Sequence, residues 1–239
     1  EGVRSAYGNF FSADGRYFGA VGPDFVRLDV QTGEIIQNTS RHYAGSGRGG
    51  FDPEGNMWAG GKASNGGLLK FDPKTGRPDP EFGSAGRVDL KKGLGRTIDP
   101  SLYAVSSPPI VVGDVVVVGS AMTEGTDFRE APPGHVRGFN VRTGAMQWIF
   151  HTIPQPGEYG ADTWPDDAWR VTGGANVWTL MSADEELGYV YLPVGTPVPD
   201  YYGGHRLGDN LFANSLVALD ARTGERVWHF QFVHHSVWD

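Results

Sequence analysis

The sequence of 239 residues contains no cysteine. It therefore has no disulfide framework, no thiolate zinc site and no cysteine nucleophile. Basic clusters are also absent, and the formal net charge is −8. Because polyanions are recognised by basic patches, we expect no nucleic acid partner. The zinc motif His-Glu-x-x-His and the nucleophile elbow Gly-x-Ser-x-Gly do not occur either.

Long apolar runs are missing as well. The longest, residues 110–122, is interrupted by Gly113 and Asp114. It is much shorter than the roughly 20 residues that a helix needs to cross a bilayer. We therefore expect no membrane span within this chain. A signal peptide has a basic segment followed by an apolar one, and the first residues do not show this order. A chain from which a signal peptide had been removed would look the same.

Glycine and proline are abundant, with 36 and 16 residues, and valine and aromatic residues occur in short runs between them. Short runs bounded by Gly, Asp, Asn and Pro are typical of strands joined by turns. Two hairpins are predicted, one pairing 110–112 with 115–118 and the other pairing 180–181 with 189–192. The composition therefore predicts an all-β fold.

The clearest internal pattern is a turn that ends in Thr-Gly. An apolar strand ends in Asp or Asn, and a Thr-Gly step closes the turn, at 28–33, 71–76, 139–144 and 219–224. The Asp or Asn side chain can accept hydrogen bonds from amides two or three residues further on, and glycine takes the positive φ. The glycines are 43, 68 and 80 residues apart. The first spacing is near that of one four-stranded propeller blade, and the others fit blades with insertions, which predicts about four blades in this chain. From the repeat alone, the alternative is an array of hairpins without chemistry, such as a scaffold propeller or a sandwich.

We predict a single propeller region over residues 1–239, with two short blades in 1–66 and blades with long insertions in 67–239. The acidic, aromatic stretch 158–169 is interpreted as an insertion over one face of the propeller, where it could wall a substrate entrance.

Residues 67–239 resemble the dehydrogenases that carry pyrroloquinoline quinone (PQQ), especially the branch of membrane-bound glucose and quinate dehydrogenases. The resemblance rests on long stretches in the same order: 71–78, 82–90, 107–121, 136–144, 176–193, 215–231 and 233–239. It implies an eight-bladed propeller of the quinoprotein type, and a location in the periplasm. Four Thr-Gly turns account for about half of such a ring, so we expect a partial chain. Residues 1–66 lie outside it and are also similar to NHL-like repeats and the blades of propeller lyases.

The resemblance implies PQQ as the cofactor. Trp178 takes the position of a tryptophan that stacks on the quinone, and an indole suits a flat ring. The other candidates for contact with the cofactor are Asn176, Ser120 and Thr123. The alternative for Trp178 is a structural role between blades, which is also the interpretation of Trp148 and Trp228.

The resemblance also implies a calcium ion beside the quinone. Glu124 follows Gly119-Ser120-Ala121, where the family supplies an acidic ligand, although Glu124-Gly125 replaces the Asp-Asn of many glucose-type relatives. Thr196 takes the position of an amide ligand in the alcohol-oxidising branch. Hard oxygen ligands suit Ca²⁺. The alternatives are a solvated loop carboxylate for Glu124 and a turn residue for Thr196.

The catalytic base is where the sequence departs from the family. The aspartate that the family commonly has before Trp-Asp is replaced by Ser236, and an unassisted serine cannot accept a proton near neutral pH. A neutral imidazole can, since its unperturbed pKa is ~6.5. We therefore assign the base to His235, with Asp239 as an orienting or alternative carboxylate. If residues 234–235 lie in a strand, the two rings point to opposite faces, and only one of them can belong to the site. The alternative is that both histidines are structural.

Together these positions imply a PQQ-dependent oxidoreductase. It would oxidise an alcohol, sugar or polyol by hydride transfer to PQQ assisted by Ca²⁺, and pass electrons to a quinone or cytochrome. The alternative is a non-catalytic propeller scaffold that binds a partner through loops 154–170 and 197–212. Such a role would explain Ser236 directly.

Overall fold

The computed structural model describes residues 8–11, 15–21, 25–39, 49–60, 66–72, 77–122 and 130–237. These residues form β-strands joined by turns and loops. The helices described are a single turn, α1 (Ala168–Val171), and two short 3₁₀ segments, Ala161–Thr163 and Gly203–His205. Within these ranges no helix has the length and apolar character to cross a membrane.

The strands form four sheets, each of four antiparallel strands in chain order. The first sheet contains β1 (Gly8–Phe11), β2 (Tyr17–Val21), β3 (Phe25–Asp29) and β4 (Ile35–Thr39), and the second contains β5 (Gly49–Phe51), β6 (Met57–Gly60), β7 (Gly67–Phe71) and β8 (Arg87–Asp89). A short separate ladder pairs β9 (Tyr103–Ala104) with β12 (Ala121–Met122). The third sheet contains β10 (Ile110–Val112), β11 (Val115–Val118), β13 (Val136–Asn140) and β14 (Met146–Phe150), and the fourth contains β15 (Ser182–Asp184), β16 (Tyr189–Val194), β17 (Ser215–Asp220) and β18 (Arg226–Gln231). The predicted all-β propeller with about four blades is confirmed.

The connections of each sheet alternate between its two ends because neighbouring strands are antiparallel. Hairpins between first and second strands, and between third and fourth strands, lie at one end, the turn face. Connections between second and third strands, and links between sheets, lie at the other end, the loop face. The longest connections are 90–109, 119–135, 151–181 and 195–214. All four therefore belong to the loop face, and the predicted insertion 158–169 is part of one of them.

The three described Thr-Gly turns share one hydrogen-bond pattern. Each joins the third and fourth strands of a sheet, at Thr32, Thr143 and Thr223. The preceding Asp or Asn accepts two amide hydrogen bonds of 2.9–3.1 Å, and the threonine hydroxyl accepts one of 3.2 Å. The glycines have φ angles of 71°, 72° and 74°. The predicted turn geometry is confirmed at these places, and Thr75-Gly76 lies outside the described residues.

The core lies between neighbouring sheets. Val115 and Val117 of β11 belong to a buried cluster with strands of the fourth sheet, and Val116 and Val118 belong to a cluster with Trp58 and other residues of the second sheet. Successive side chains of a strand point to opposite faces. A strand covered on both faces therefore reads as an unbroken apolar run, as these four valines do.

Trp148 of β14 joins the third sheet to the fourth. Its Nε1 donates a hydrogen bond of 2.9 Å to the carbonyl of Ala221. The ring covers Gly224, where a Cβ would lie 2.6 Å from the indole. Gly144 has the same role under Val88 of the second sheet, with a Cβ that would lie 2.7 Å from Val88 Cγ2. Glycine is therefore needed at these turns for its positive φ and also for the space that it leaves.

One predicted strand boundary differs from the structure. The hairpin 110–112 with 115–118 is confirmed, but the strand predicted at 180–181 begins only at Ser182, and Leu180 is exposed. The carbonyls of residues 177–178, just before it, accept hydrogen bonds from Ser106 and Ser107, as described below. The predicted division after residue 66 falls between β6 and β7, which pair with each other in the second sheet.

We predict that Gly224→Ala lowers the free energy of unfolding more than Gly33→Ala. The two glycines have similar φ angles, 74° and 71°, so both changes carry the left-handed penalty of about 1–2 kcal/mol. Only at Gly224 would the new methyl group meet Trp148, since no atom of the described residues lies within 4 Å of it at Gly33. Overpacking adds about 1–3 kcal/mol. Urea unfolding measures both; equal losses would show that the indole does not set the spacing of the sheets.

Candidate cofactor site on the loop face

Trp178 stands on the loop face just before the fourth sheet, and the connection that precedes the third sheet fixes its backbone. Ser106 Oγ donates to the carbonyl of Trp178 (2.7 Å) and Ser107 Oγ to that of Val177 (3.2 Å). Gly119 lies against the same segment, where a Cβ would be 2.2 Å from the carbonyl oxygen of Val177. The indole itself is 54% exposed. An anchored but exposed aromatic ring can serve as a stacking surface for a flat ligand.

Thr196 lies beside this tryptophan. The amide of Gly195 donates to the carbonyl of Asn176 (3.0 Å), and the amide of Ala175 donates to the carbonyl of Thr196 (3.0 Å). A Cβ on Gly195 would lie 3.3 Å from Trp178 Nε1. The two segments therefore run together, and the structure brings Trp178, Asn176 and Thr196 into one place.

Ser120 belongs to the same place through the side chain of Asn176. Asn176 Nδ2 donates a buried hydrogen bond of 2.8 Å to the carbonyl of Ser120. The hydroxyl oxygen of Ser120 is also buried and has no hydrogen-bond partner among the described residues. A buried oxygen without a partner costs about 1–3 kcal/mol, so a ligand that bonds to it would gain that energy.

Asn214 is a site residue that the sequence did not reveal. Its Nδ2 donates to Thr196 Oγ1 (2.9 Å), and its Oδ1 is buried without a partner in the described part of the chain. Asn214 comes directly before β17, where an asparagine looks like an ordinary turn residue. Only the contact across 18 positions, with a residue already singled out, would have identified it.

Three of the predicted site residues lie outside the described residues: Thr123 and Glu124 in the segment 123–129, and Asp239 at the end of the chain. The position of the acidic metal ligand and of the alternative carboxylate base is therefore not part of the geometry above. Among the residues that are described, no group of three or more His, Asp or Glu side chains could hold a metal ion.

His235 and Ser236 follow the last strand, which ends at Gln231. Residues 234–235 thus do not lie in a strand, and strand alternation does not set the direction of their rings. His235 Nδ1 lies 2.8 Å from the carbonyl oxygen of Gly208. A carbonyl can only accept, so Nδ1 carries the proton and Nε2 of the neutral ring keeps a lone pair. Ser236 Oγ is buried and has no hydrogen-bond partner among the described residues.

A pair of histidines, not noticed in the sequence, also lies on the loop face. His135 precedes β13 and His151 follows β14, so the antiparallel pair of strands brings them together, with ring centroids 4.6 Å apart. His151 Nδ1 is 2.8 Å from Glu158 Oε1. Burial, followed by the charges of His151, Arg96 and Arg137, lowers the pKa of His135 well below 6.5. His135 is therefore a neutral, buried imidazole.

The four meander sheets with buried interfaces define a β-propeller. The chain belongs to the PQQ-dependent dehydrogenases, because the family model for the glucose/ethanol/alcohol dehydrogenase β-propeller domain matches residues 61–239. The resemblance stated from the sequence is thereby confirmed, including its quinoprotein propeller fold.

The relatives that the chain resembles agree with this family. The quinoprotein glucose dehydrogenase of Gluconobacter oxydans is 34% identical over 180 residues, which cover 74% of this chain and 22% of that protein. The probable quinate dehydrogenase (quinone) of Xanthomonas campestris pv. juglandis is 37% identical over 186 residues, with 73% and 22% covered. The chain therefore spans about a fifth of the length of these relatives.

Solved structures have the same fold. The quinohemoprotein alcohol dehydrogenase ADHIIG of Pseudomonas putida is similar with a TM-score of 0.74 and 27% identity, covering 94% of this chain and 34% of that one. The enzyme of the same type from Comamonas testosteroni gives a TM-score of 0.78 at 21% identity, covering 100% and 37%. At that identity the second likeness concerns the fold alone.

We predict that the free energy of unfolding falls as the pH drops below ~6.5, in part through His135. Its folded pKa is depressed, whereas in the unfolded chain it returns to ~6.5. Below that pH the unfolded state binds a proton that the folded state excludes. The contribution of neutral His135 to the free energy of unfolding is thus complete above pH ~6.5. As the pH falls from there towards the folded pKa, this contribution is lost by at most about 1.4 kcal/mol per pH unit.

Urea unfolding at several pH values measures this dependence. His135→Gln, which cannot titrate, should flatten the slope below pH ~6.5, while His234→Ala, a change at an exposed histidine, should leave it as it is. An unchanged slope in the His135 variant would contradict the assignment of a neutral buried ring.

Proposed function

We propose that the protein is a dehydrogenase that uses PQQ to oxidise an alcohol, sugar or polyol. The proposal rests on the exposed and anchored indole of Trp178 beside the oxygen-bearing side chains of Ser120, Asn176 and Thr196, in a chain of this family. Its relatives are named glucose, glycerol, quinate and alcohol dehydrogenases. A substrate hydroxyl group is common to these names.

The residues present fit a flat polar cofactor with a cation beside it. Trp178 would stack on the ring, which contributes ~0.5–1.5 kcal/mol beyond the buried area. Ser120 Oγ is a buried hydroxyl with no partner among the described residues and would bond to the polar edge of the cofactor, with Asn176 holding the Ser120 backbone in place. When bound, PQQ supplies the electron-accepting carbonyl that takes hydride, and Ca²⁺ polarises that carbonyl. Thr196 would complete the contacts with the cation and the cofactor, together with Thr123 and Glu124, which lie outside the described residues.

His235 is our candidate for the base that removes the hydroxyl proton of the substrate. The carbonyl of Gly208 accepts a hydrogen bond from Nδ1, so the lone pair of Nε2, which lies beside Gly203, would accept the substrate proton. Asp239 is the alternative carboxylate. A buried serine hydroxyl at position 236 favours the second candidate function, a propeller scaffold without turnover that binds a partner through its loops.

Electron transfer and location follow the same family relationship. A quinone or cytochrome would accept the electrons, and we place the protein in the periplasm. Both proposals are supported by the quinoprotein relatives rather than by a contact within the chain.

We predict that the full-length protein binds PQQ in the presence of Ca²⁺ and then oxidises an alcohol or sugar with an artificial dye as acceptor. Quenching of tryptophan fluorescence measures the binding. Trp178→Ala should raise the dissociation constant at least about 2- to 10-fold, the equivalent of its stacking energy. Trp228→Ala is the control, since that indole belongs to β18. A wild-type protein that does not bind PQQ would refute the proposed function.

A second prediction concerns the base. His235→Ala should lower turnover by about 10²–10⁴-fold, the contribution of a positioned general base, without changing the affinity for PQQ. His234→Ala, at the exposed neighbour, should have little effect. Turnover that is unchanged in His235→Ala but strongly increased in Ser236→Asp would show that His235 is structural and that the site lacks a base.

A further inference from the structure

Asn214 and Thr196 form the part of the site that lies beside Trp178. We propose that the side-chain oxygen of Asn214 is a ligand of the cation, and that it supplies the neutral amide oxygen for which position 196 offers only a hydroxyl. This inference rests on the metal-binding part of the proposed function.

The hydrogen bonding of the side chain leaves this oxygen available. Asn214 Nδ2 donates to Thr196 Oγ1 at 2.9 Å. On the other side of the same planar amide, Oδ1 is buried and has no donor among the described residues. A carbonyl oxygen can be satisfied by a proton donor or by a cation, and Ca²⁺ binds amide oxygens readily. The pairing with Thr196 also fixes the orientation of the amide group.

The backbone of Asn214 is fixed before any ligand binds. Its amide donates to the carbonyl of Gly195 (3.2 Å), and its carbonyl accepts from the amide of Phe232 (2.9 Å). Its φ of 48° lies in the left-handed region, which asparagine tolerates better than most residues. This backbone angle explains why a residue such as asparagine or glycine stands here. It does not explain why the amide oxygen is buried with no hydrogen-bond partner among the described residues.

Gly195 connects Asn214 with Trp178. It accepts a hydrogen bond from the backbone amide of Asn214, and a Cβ on it would lie 3.3 Å from Trp178 Nε1. A cation held by Asn214 and Thr196 would therefore lie in the same part of the loop face as a ring stacked on Trp178. The oxygens of both residues are neutral, so Asn214→Asp would add the negative charge that Ca²⁺ favours.

The test uses Tb³⁺, a hard cation that replaces Ca²⁺ and whose luminescence is sensitised by a nearby indole. It is titrated into the full-length protein without PQQ, and Ca²⁺ is then added as a competitor. Asn214→Gly and Asn214→Asp are compared because both residue types accept the φ of 48°. We expect Asn214→Gly to weaken binding by about tenfold or more, and Asn214→Asp to strengthen it because a charged oxygen replaces a neutral one.

Asn140→Asp is the matched control. It makes the same change of charge in a Thr-Gly turn on the turn face, where Asp29 and Asp220 are the native residues of two other sheets. It should leave the affinity for Tb³⁺ unchanged. An effect of the same size at both positions would show a general effect of charge and overturn the inference.

The remaining outcomes separate this inference from the function on which it rests. If both Asn214 variants bind Tb³⁺ as tightly as the wild-type protein does, Asn214 is not a ligand, and the proposed function stands. If the wild-type protein binds PQQ but no Tb³⁺ or Ca²⁺, the metal-binding part of that function fails together with this inference.

Discussion

The close approach of one sheet to the Thr-Gly turn of the next is the constraint on which the other contacts depend. Trp148 can cover Gly224, and Val88 can cover Gly144, only because neither glycine carries a Cβ. The same glycines take the positive φ that closes the turn. A short local motif therefore fixes both the hairpin and the distance between sheets. On the opposite face, Ser106 and Ser107 of the connection before the third sheet donate hydrogen bonds to the segment that carries Trp178.

The parts of the fold that the sequence predicted are those whose hydrogen bonds are local. A Thr-Gly turn is built from residues two to five positions apart, so its bonds and its positive φ could be read from residue types alone. The hairpin of valines was equally legible, since β11 is buried on both faces. The strand predicted at 180–181 was wrong because Leu180 is apolar yet exposed, and the contacts of residues 177–178 with Ser106 and Ser107 are not visible in the sequence.

The site was predicted only as far as single positions could be matched to a family. Trp178, Asn176 and Thr196 were named in this way, and the structure brings them together. Asn214 and the pair of His135 and His151 were missed, because their roles depend on contacts between distant connections of the loop face. The direction of His235 could not be predicted either, since it depends on the carbonyl of Gly208, 27 positions away.

Ser106 and Ser107, which hold the backbone at Trp178, lie in the connection before the third sheet, whereas Trp178 precedes the fourth sheet. Any molecule that stacks on this indole therefore binds where these two connections meet. Binding to the folded state alone stabilises it by RT ln(1 + [L]/Kd), about 2.7 kcal/mol at a hundredfold excess over Kd. A bound cofactor would therefore also slow proteolysis, because it would lower the fraction of molecules in which these connections separate.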